Sequence, residues 1–181
     1  MKVSFPNKKY NIIYADPPWQ YKESWGNGQV GYVTMTNEEI KKLSVSSISE
    51  DKAHLYLWVT NPFIKEGLEV CKAWGFDYKT LITWVKTYKD GTPEMGMGYY
   101  FRGCTEHIIF GVRGKMKCQN KTTRNLVVEV NPKLHSKKPH CFKEMVVIVA
   151  AISHELSCLL EMLGYLTKVG SIGEMKYNES S

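Results

Sequence analysis

A short apolar run rich in β-formers, Asn11–Ala15 (NIIYA), meets Asp16-Pro17-Pro18-Trp19 head-on. Each proline fixes φ and lacks an N–H donor, so no helix and no central strand continues through the pair. The segment predicts a buried strand that stops abruptly in a rigid loop. A carboxylate and an aromatic ring are then held on a stiff turn at the carboxyl end of that strand.

The rest of the chain supplies the partners such a strand needs. Thr36 and Glu39 have capping-box spacing ahead of Ile40 and Leu43, which predicts a short helix. His54–Thr60 (HLYLWVT) reads as a second buried strand. Asn61 is then placed as a helix cap with Pro62 at the first helical position. Phe63, Ile64, Leu68, Val70, Cys71 and Trp74 recur at helical spacing until Gly75 stops the helix. Tyr78–Thr87, His107–Val112 and Leu126–Val130 read as three further strands. Phe142–Leu163 reads as a helix, with a strand over Val146–Ala151 as the alternative. Strands alternating with helices predict an α/β domain with a mostly parallel sheet and flanking helices. In such sheets ligands bind at the carboxyl ends of the strands, where Asp16 falls. Trp58, Trp74 and Trp84 read as core residues.

Composition narrows the function classes. The chain has 181 residues, 43% hydrophobic and 23% charged, which predicts one globular domain over residues 1–181. No apolar run approaches the length of a membrane span, and the N-terminus lacks the apolar core of a signal peptide, so a cytoplasmic protein with no membrane partner is expected. Five cysteines without regular spacing argue against a disulfide framework. No CxxC pair is present, and His135, His140 and Cys141 fit no ligand pattern, so no metal is expected. The net charge is +6, and nine basic residues against the single acid Glu129 leave +8 between Arg113 and Lys143. That segment predicts a polyanionic partner running past the Asp16 loop, with a solvated loop as the alternative.

The Asp-Pro-Pro-Trp loop suits a planar base that carries an exocyclic amine. The Trp19 ring is placed to stack on the base. Asp16 and the Pro17 carbonyl, free on its turn, accept the two amine hydrogens, and Pro18 stiffens the loop. The alternative is a strand-ending turn with a core tryptophan.

At these residues the sequence resembles the MT-A70 family of N6-adenine methyltransferases. The resemblance is carried by YNIIYADPPWQY (10–21), GYVTMTNEEIKKL (31–43), HLYLWVTNPFIKEGLEVCKAWGF (54–76), ITWVKT (82–87), RGCTEHIIFGVRG (102–114) and HSKKPHCFKEM (135–145). It implies a Rossmann-like methyltransferase fold with its motifs circularly permuted, and S-adenosylmethionine as cofactor. It implies Asp16, Pro17, Pro18 and Trp19 as catalytic residues, and Tyr32 and Glu106 as substrate-pocket residues. Lys138, with Ser136 and Pro139, is implied to hold the cofactor or the target nucleotide. Beside these roles stand blander ones: an exposed loop position for Tyr32, a pairing with a base such as Arg102 for Glu106, and a phosphate contact for Lys138. The substrate implied is nucleic acid, DNA ahead of RNA, and a homo- or heterodimer fits several family members.

Residues 10–145 are family-like, whereas 146–181 are not. HELSCLLEMLGYLTKVGSIGEM (154–175) lacks the Phe-Ala-Arg strand and the Gly-Asn-Glu segment that the family uses near its cofactor. A shifted reading frame is the hypothesis that fits: one codon choice for Cys158–Gly170 reads LFARNARLFDKGW when displaced by one nucleotide, and the nucleotide sequence of the gene tests it. The expected consequence is a fold that survives better than cofactor binding does, with an inactive nucleic-acid-binding relative as the alternative.

Overall fold

The computed structural model describes residues 5, 7–21, 34–98, 100–132 and 138–150. Tyr32, Ser136, the glycine-rich stretch 26–31 and the tail from 151 lie outside the described residues.

Five strands form one sheet in the order β1-β2-β4-β3-β5: β1 Tyr10–Ala15, β2 Ser49–Thr60, β3 Asp77–Thr87, β4 Thr105–Arg113 and β5 Leu126–Val130. β1 pairs parallel with β2 and β3 parallel with β5, while β4 is antiparallel to both β2 and β3. Four strands therefore run in one direction and β4 alone runs against them. A parallel return needs a crossover of a dozen or more residues, usually a helix. Residues 88–104 join β3 to β4 with no helix among the described residues, and their Asp90-Gly91, Pro93, Gly96, Gly98 and Gly103 punctuate any helical pattern.

The helices flank the sheet on its two faces. Alternation along β1 sends Ile13 and Ala15 to one face, where they pack with Leu55, Leu57, Val59 and Ile109 beneath α1 (Asn37–Lys41) and α2 (Ile64–Ala73). Ile12 and Tyr14 point to the other face, with Tyr56, Trp58, Trp84, Ile108 and Phe142 of α3 (Cys141–Ala150). Trp58, Trp74 and Trp84 are all fully buried core residues. This mixed sheet between helices is a Rossmann-like methyltransferase fold.

Local details differ from expectation at one cap. The Thr36–Glu39 capping box is formed on both sides. Asn61, however, starts a short 3-10 turn, Asn61–Phe63, and caps nothing. Its amide instead donates to Thr105 Oγ1 at 3.2 Å, and its Oδ1 lies 2.7 Å from His107 Nε2. A side chain that bridges to β4 gains partners a free helix end does not offer.

Candidate active site

Asp16 follows the last residue of β1 and shares the parity of Ile12 and Tyr14, so its carboxylate falls on the α3 face at the carboxyl end of the sheet. Glu106 is the second residue of β4, with the parity of Ile108 and Phe110. The antiparallel register sets Glu106 opposite Thr60 of β2 and Trp84 of β3, so it reaches the same face and the same end. Lys138 joins them from the segment that leads into α3. Its Nζ lies 3.3 Å from Asp16 Oδ2 and 3.0 Å from Glu106 Oε2. The same ammonium stands 4.8 Å from the centre of the Trp58 ring. Glu106 Oε1 accepts from Lys86 Nζ at 2.5 Å. Sequence reasoning passed over Lys86. The signal available was its place two residues after Trp84 in a strand that otherwise reads as core.

These four side chains are only 14–23% exposed, so their charges act strongly on one another. Burial pushes the Asp16 carboxyl above its ordinary value; Lys138 opposes that rise and the neighbouring Glu106 adds to it. Burial would raise Glu106 too, but the Lys138 and Lys86 ammoniums outweigh it and hold that carboxyl below the usual range. Burial disfavours a charged Lys138, yet Asp16 and Glu106 together keep it protonated, with its pKa raised. Among the described residues Asp16 is engaged only through Oδ2, which leaves Oδ1 open to a further donor.

The loop that carries Asp16 is pinned from several sides. The Trp19 N–H donates to the Pro17 carbonyl at 2.9 Å, and the Met35 N–H donates to the Pro18 carbonyl at 2.8 Å. The two carbonyls are thus not free on the turn as expected; each already accepts one bond and keeps one lone pair. Trp19 is 6% exposed. Its Nε1–H donates to the Trp58 carbonyl at 3.0 Å, and its ring stacks on Phe63 at 5.4 Å. Tyr21 closes the loop, with its hydroxyl 2.8 Å from Thr60 Oγ1.

Of the residues singled out by sequence, Asp16, Glu106 and Lys138 come together, with Pro17 and Pro18 forming the loop beneath and Pro139 next to Lys138. The partners of Glu106 are lysines, not Arg102. Tyr32 and Ser136 lie outside the described residues.

The basic segment is divided. β4 carries the chain from Glu106 away to Arg113 at the opposite end of the sheet, where Gly114 and Lys115, both at positive φ, turn it. A Cβ on Gly114 would sit 1.8 Å from the Asp51 carbonyl oxygen, so this turn is held tightly against the start of β2. The expectation that the whole segment passes the Asp16 loop is therefore corrected: Arg113, Lys115 and Lys117 belong to the far end, and Lys138 to the site.

On the opposite face a second polar set was also missed. His107 lies between Thr83 Oγ1, 3.1 Å from Nδ1, and Asn61 Oδ1. Burial lowers the His107 pKa although Glu106 beside it works the other way.

Comparison with known proteins adds to this geometry. A sequence model of the MT-A70 family matches residues 10–168. The Type II methyltransferase M.MunI of Mycoplasma sp. is 29% identical over 75% of this chain and 65% of its own length. The N(6)-adenosine-methyltransferase subunit METTL3 of Danio rerio is 31% identical over 72% of this chain and 22% of its own length. The human METTL3 catalytic subunit is 29% identical over the same shares. The chain thus spans less than two thirds of the length of these relatives. No helix among the described residues is long and apolar enough to cross a membrane.

Proposed function

Because this chain belongs to the MT-A70 family, we propose that it methylates the N6 amine of adenine in nucleic acid, with DNA favoured over RNA. The observation that carries the reading is the open Oδ1 of Asp16, on a proline-stiffened loop and beside the Lys138–Glu106 pair. An exocyclic amine is a poor nucleophile because its lone pair is delocalised into the ring. Asp16 Oδ1 and the spare lone pair of the Pro17 carbonyl accept the two N6 hydrogens and favour a pyramidal nitrogen. Both acceptors also stabilise the positive charge that develops on nitrogen, an effect of position and electrostatics. Asp16 must be ionised to do this, and Lys138 favours that form against the effect of burial.

MT-A70 methyltransferases use S-adenosylmethionine, which supplies an electrophilic methyl on a sulfonium when bound. The Asp16 carboxylate, at the carboxyl end of the sheet, is an anion whose charge favours a sulfonium cation nearby. Pro139 and Ser136, three residues before it, would hold that cofactor, while Lys138 is committed to the two carboxylates. Trp19 serves by anchoring the loop: its burial, its bond to Trp58 and its stack on Phe63 support an anchor over a base-stacking platform. Tyr32 and Glu106 belong to the adenine pocket. The setting of the reaction is the cytoplasm.

DNA is favoured because the chain covers 65% of the type II relative against 22% of the METTL3 subunit. The RNA reading keeps the support of the relatives named adenosine methyltransferases, and the word subunit in such a name favours work in a pair. Tritium transfer from labelled cofactor to matched DNA and RNA oligonucleotides separates the two, with calorimetry for cofactor affinity. Cofactor binding without an N6-methyladenine product that depends on Asp16 sinks the enzyme reading. It would leave an inactive relative that binds nucleic acid.

A further inference from the structure

We propose that Lys86 is a positioning residue for the Asp16 carboxylate, acting through Glu106 and Lys138. The four side chains form a row of alternating charge: Lys86 Nζ to Glu106 Oε1 at 2.5 Å, Glu106 Oε2 to Lys138 Nζ at 3.0 Å, and Lys138 Nζ to Asp16 Oδ2 at 3.3 Å. Glu106 uses one oxygen for each lysine, so it couples them and cannot turn toward one without leaving the other. The row spans the sheet from β3 through β4 to the loop after β1.

Lys86 is held through both its backbone and its side chain. Its backbone N–H donates to the Cys104 carbonyl at 2.8 Å and its carbonyl accepts from Glu94 at 2.7 Å. Its ammonium lies 5.1 Å from the centre of the Trp84 ring, and Trp84 is itself held by a 3.0 Å bond from Nε1 to the Glu129 carbonyl. Glu129 is the register neighbour of Lys86 on β5. By contrast, Lys138 comes from a segment outside the strands. The fixed end of the row is therefore Lys86, and the adjustable end is the ammonium at Asp16.

The consequence is specific. With Lys86 present, Glu106 shares its charge between two ammoniums and Lys138 stays within reach of Asp16. Without it, Glu106 draws Lys138 toward itself and the net positive charge near Asp16 falls. Both changes favour the protonated form of Asp16, which accepts an amine hydrogen less well.

This inference rests on the proposed reaction, so the test pairs turnover with a measurement independent of it. Carboxyl ¹³C NMR follows the titration of Asp16 in the wild type, Lys86→Met and Lys86→Arg, with Asp16→Asn identifying the signal. The Asp16 midpoint is expected to rise in Lys86→Met and to return toward wild type in Lys86→Arg. In the transfer assay Lys86→Met is expected to lower kcat by about 10- to 100-fold, as small misplacements do. The acid limb of its pH profile should move up with the NMR midpoint. An unmoved Asp16 midpoint overturns the proposal whether or not the protein is active. A rise in KM for the oligonucleotide with kcat unchanged overturns it too, and makes Lys86 a phosphate contact. If the midpoint moves and even the wild type transfers no methyl group, the methyltransferase reading fails while the positioning role stands.

Discussion

Asp16 and Glu106 share one ammonium and are driven in opposite directions. Glu106 has a lowered folded pKa, so it contributes stability above its ordinary value of 4.5. That contribution is lost as pH falls from there through the folded value. Glu106→Gln leaves Lys86 and Lys138 without their shared counter-charge and should cost about 3 kcal/mol at pH 7. Urea unfolding at stepped pH is expected to show that deficit shrinking below pH 4.5, where the wild-type carboxyl protonates as well. Asp16 carries the opposite sign. Its raised folded value makes ionisation a cost to folding, absent below its ordinary 3.8 and complete above the folded pKa. The ionised form is nonetheless the one the chemistry needs. Turnover should rise with pH along a limb whose midpoint lies above 3.8, and Asp16→Asn should abolish that limb and reduce kcat by about 100-fold or more above the midpoint. Trp19 separates two kinds of loss. Trp19→Phe keeps a ring on Phe63 and forfeits one hydrogen bond, about 1 kcal/mol. Trp19→Ala empties a buried indole site and should cost about 3–5 kcal/mol in the same unfolding measurement. A tryptophan that served only to stack on a base would leave the free protein's stability nearly unchanged.

Elements with a strong local signature were readable before any coordinates. β1, β5 and the Thr36 capping box follow from β-forming runs, prolines and a four-residue spacing, all of which act within a few residues. Thr36→Ala should cost about 1 kcal/mol, because Thr36 Oγ1 accepts the Glu39 N–H at 3.2 Å and no other group among the described residues stands in for it. What sequence could not supply was register. Lys86, Glu106, Lys138 and Asp16 are brought together by antiparallel pairing across β2, β4 and β3, and pairing partners far apart in sequence leave no periodic trace. Asn61 shows the same limit: its position looks like a cap, and only the approach of β4 gives it better partners. The reversal of β4, by contrast, was half visible in the glycines and proline of 88–104, which deny a crossover helix. Close approach between elements is equally non-local. A Cβ on Gly67 of α2 would lie 2.5 Å from Val59 Cγ1 and 2.6 Å from Ile109 Cδ1. Gly67→Ala should therefore destabilise by about 1–3 kcal/mol despite the better helix propensity of alanine. A lower urea midpoint with an unchanged slope checks it.

Across the whole molecule, charge is arranged by the run of β4. From Ala53 to Thr60 is seven residue steps of β2, about 23 Å of strand, and that distance separates the turn at Gly114 from the acidic and basic groups around Asp16. The basic residues beyond Arg113 and the lysine at the site are close in sequence order and far apart in space. They should therefore respond differently to the size of the substrate. A trinucleotide with a central adenine carries two phosphates, which in B-form DNA are spaced about 3.4 Å along the helix axis. With its adenine at Asp16 it does not extend to the far end of the sheet. Lys115→Gln and Lys117→Gln combined should leave kcat/KM on the trinucleotide within about twofold of wild type, inside the range of ordinary surface changes. Lys138→Gln removes the ammonium that faces both carboxylates, and on the same trinucleotide it should lose most of the activity. Steady-state transfer assays at fixed salt compare the two. A large loss from the double substitution would mean that the far-end lysines reach the reacting base, which the run of β4 does not allow. Regional charge read along the sequence pointed to one basic surface; the antiparallel strand parts it, and of Arg113, Lys115, Lys117 and Lys138 only the last, balanced by two carboxylates, lies where the chemistry is proposed to occur.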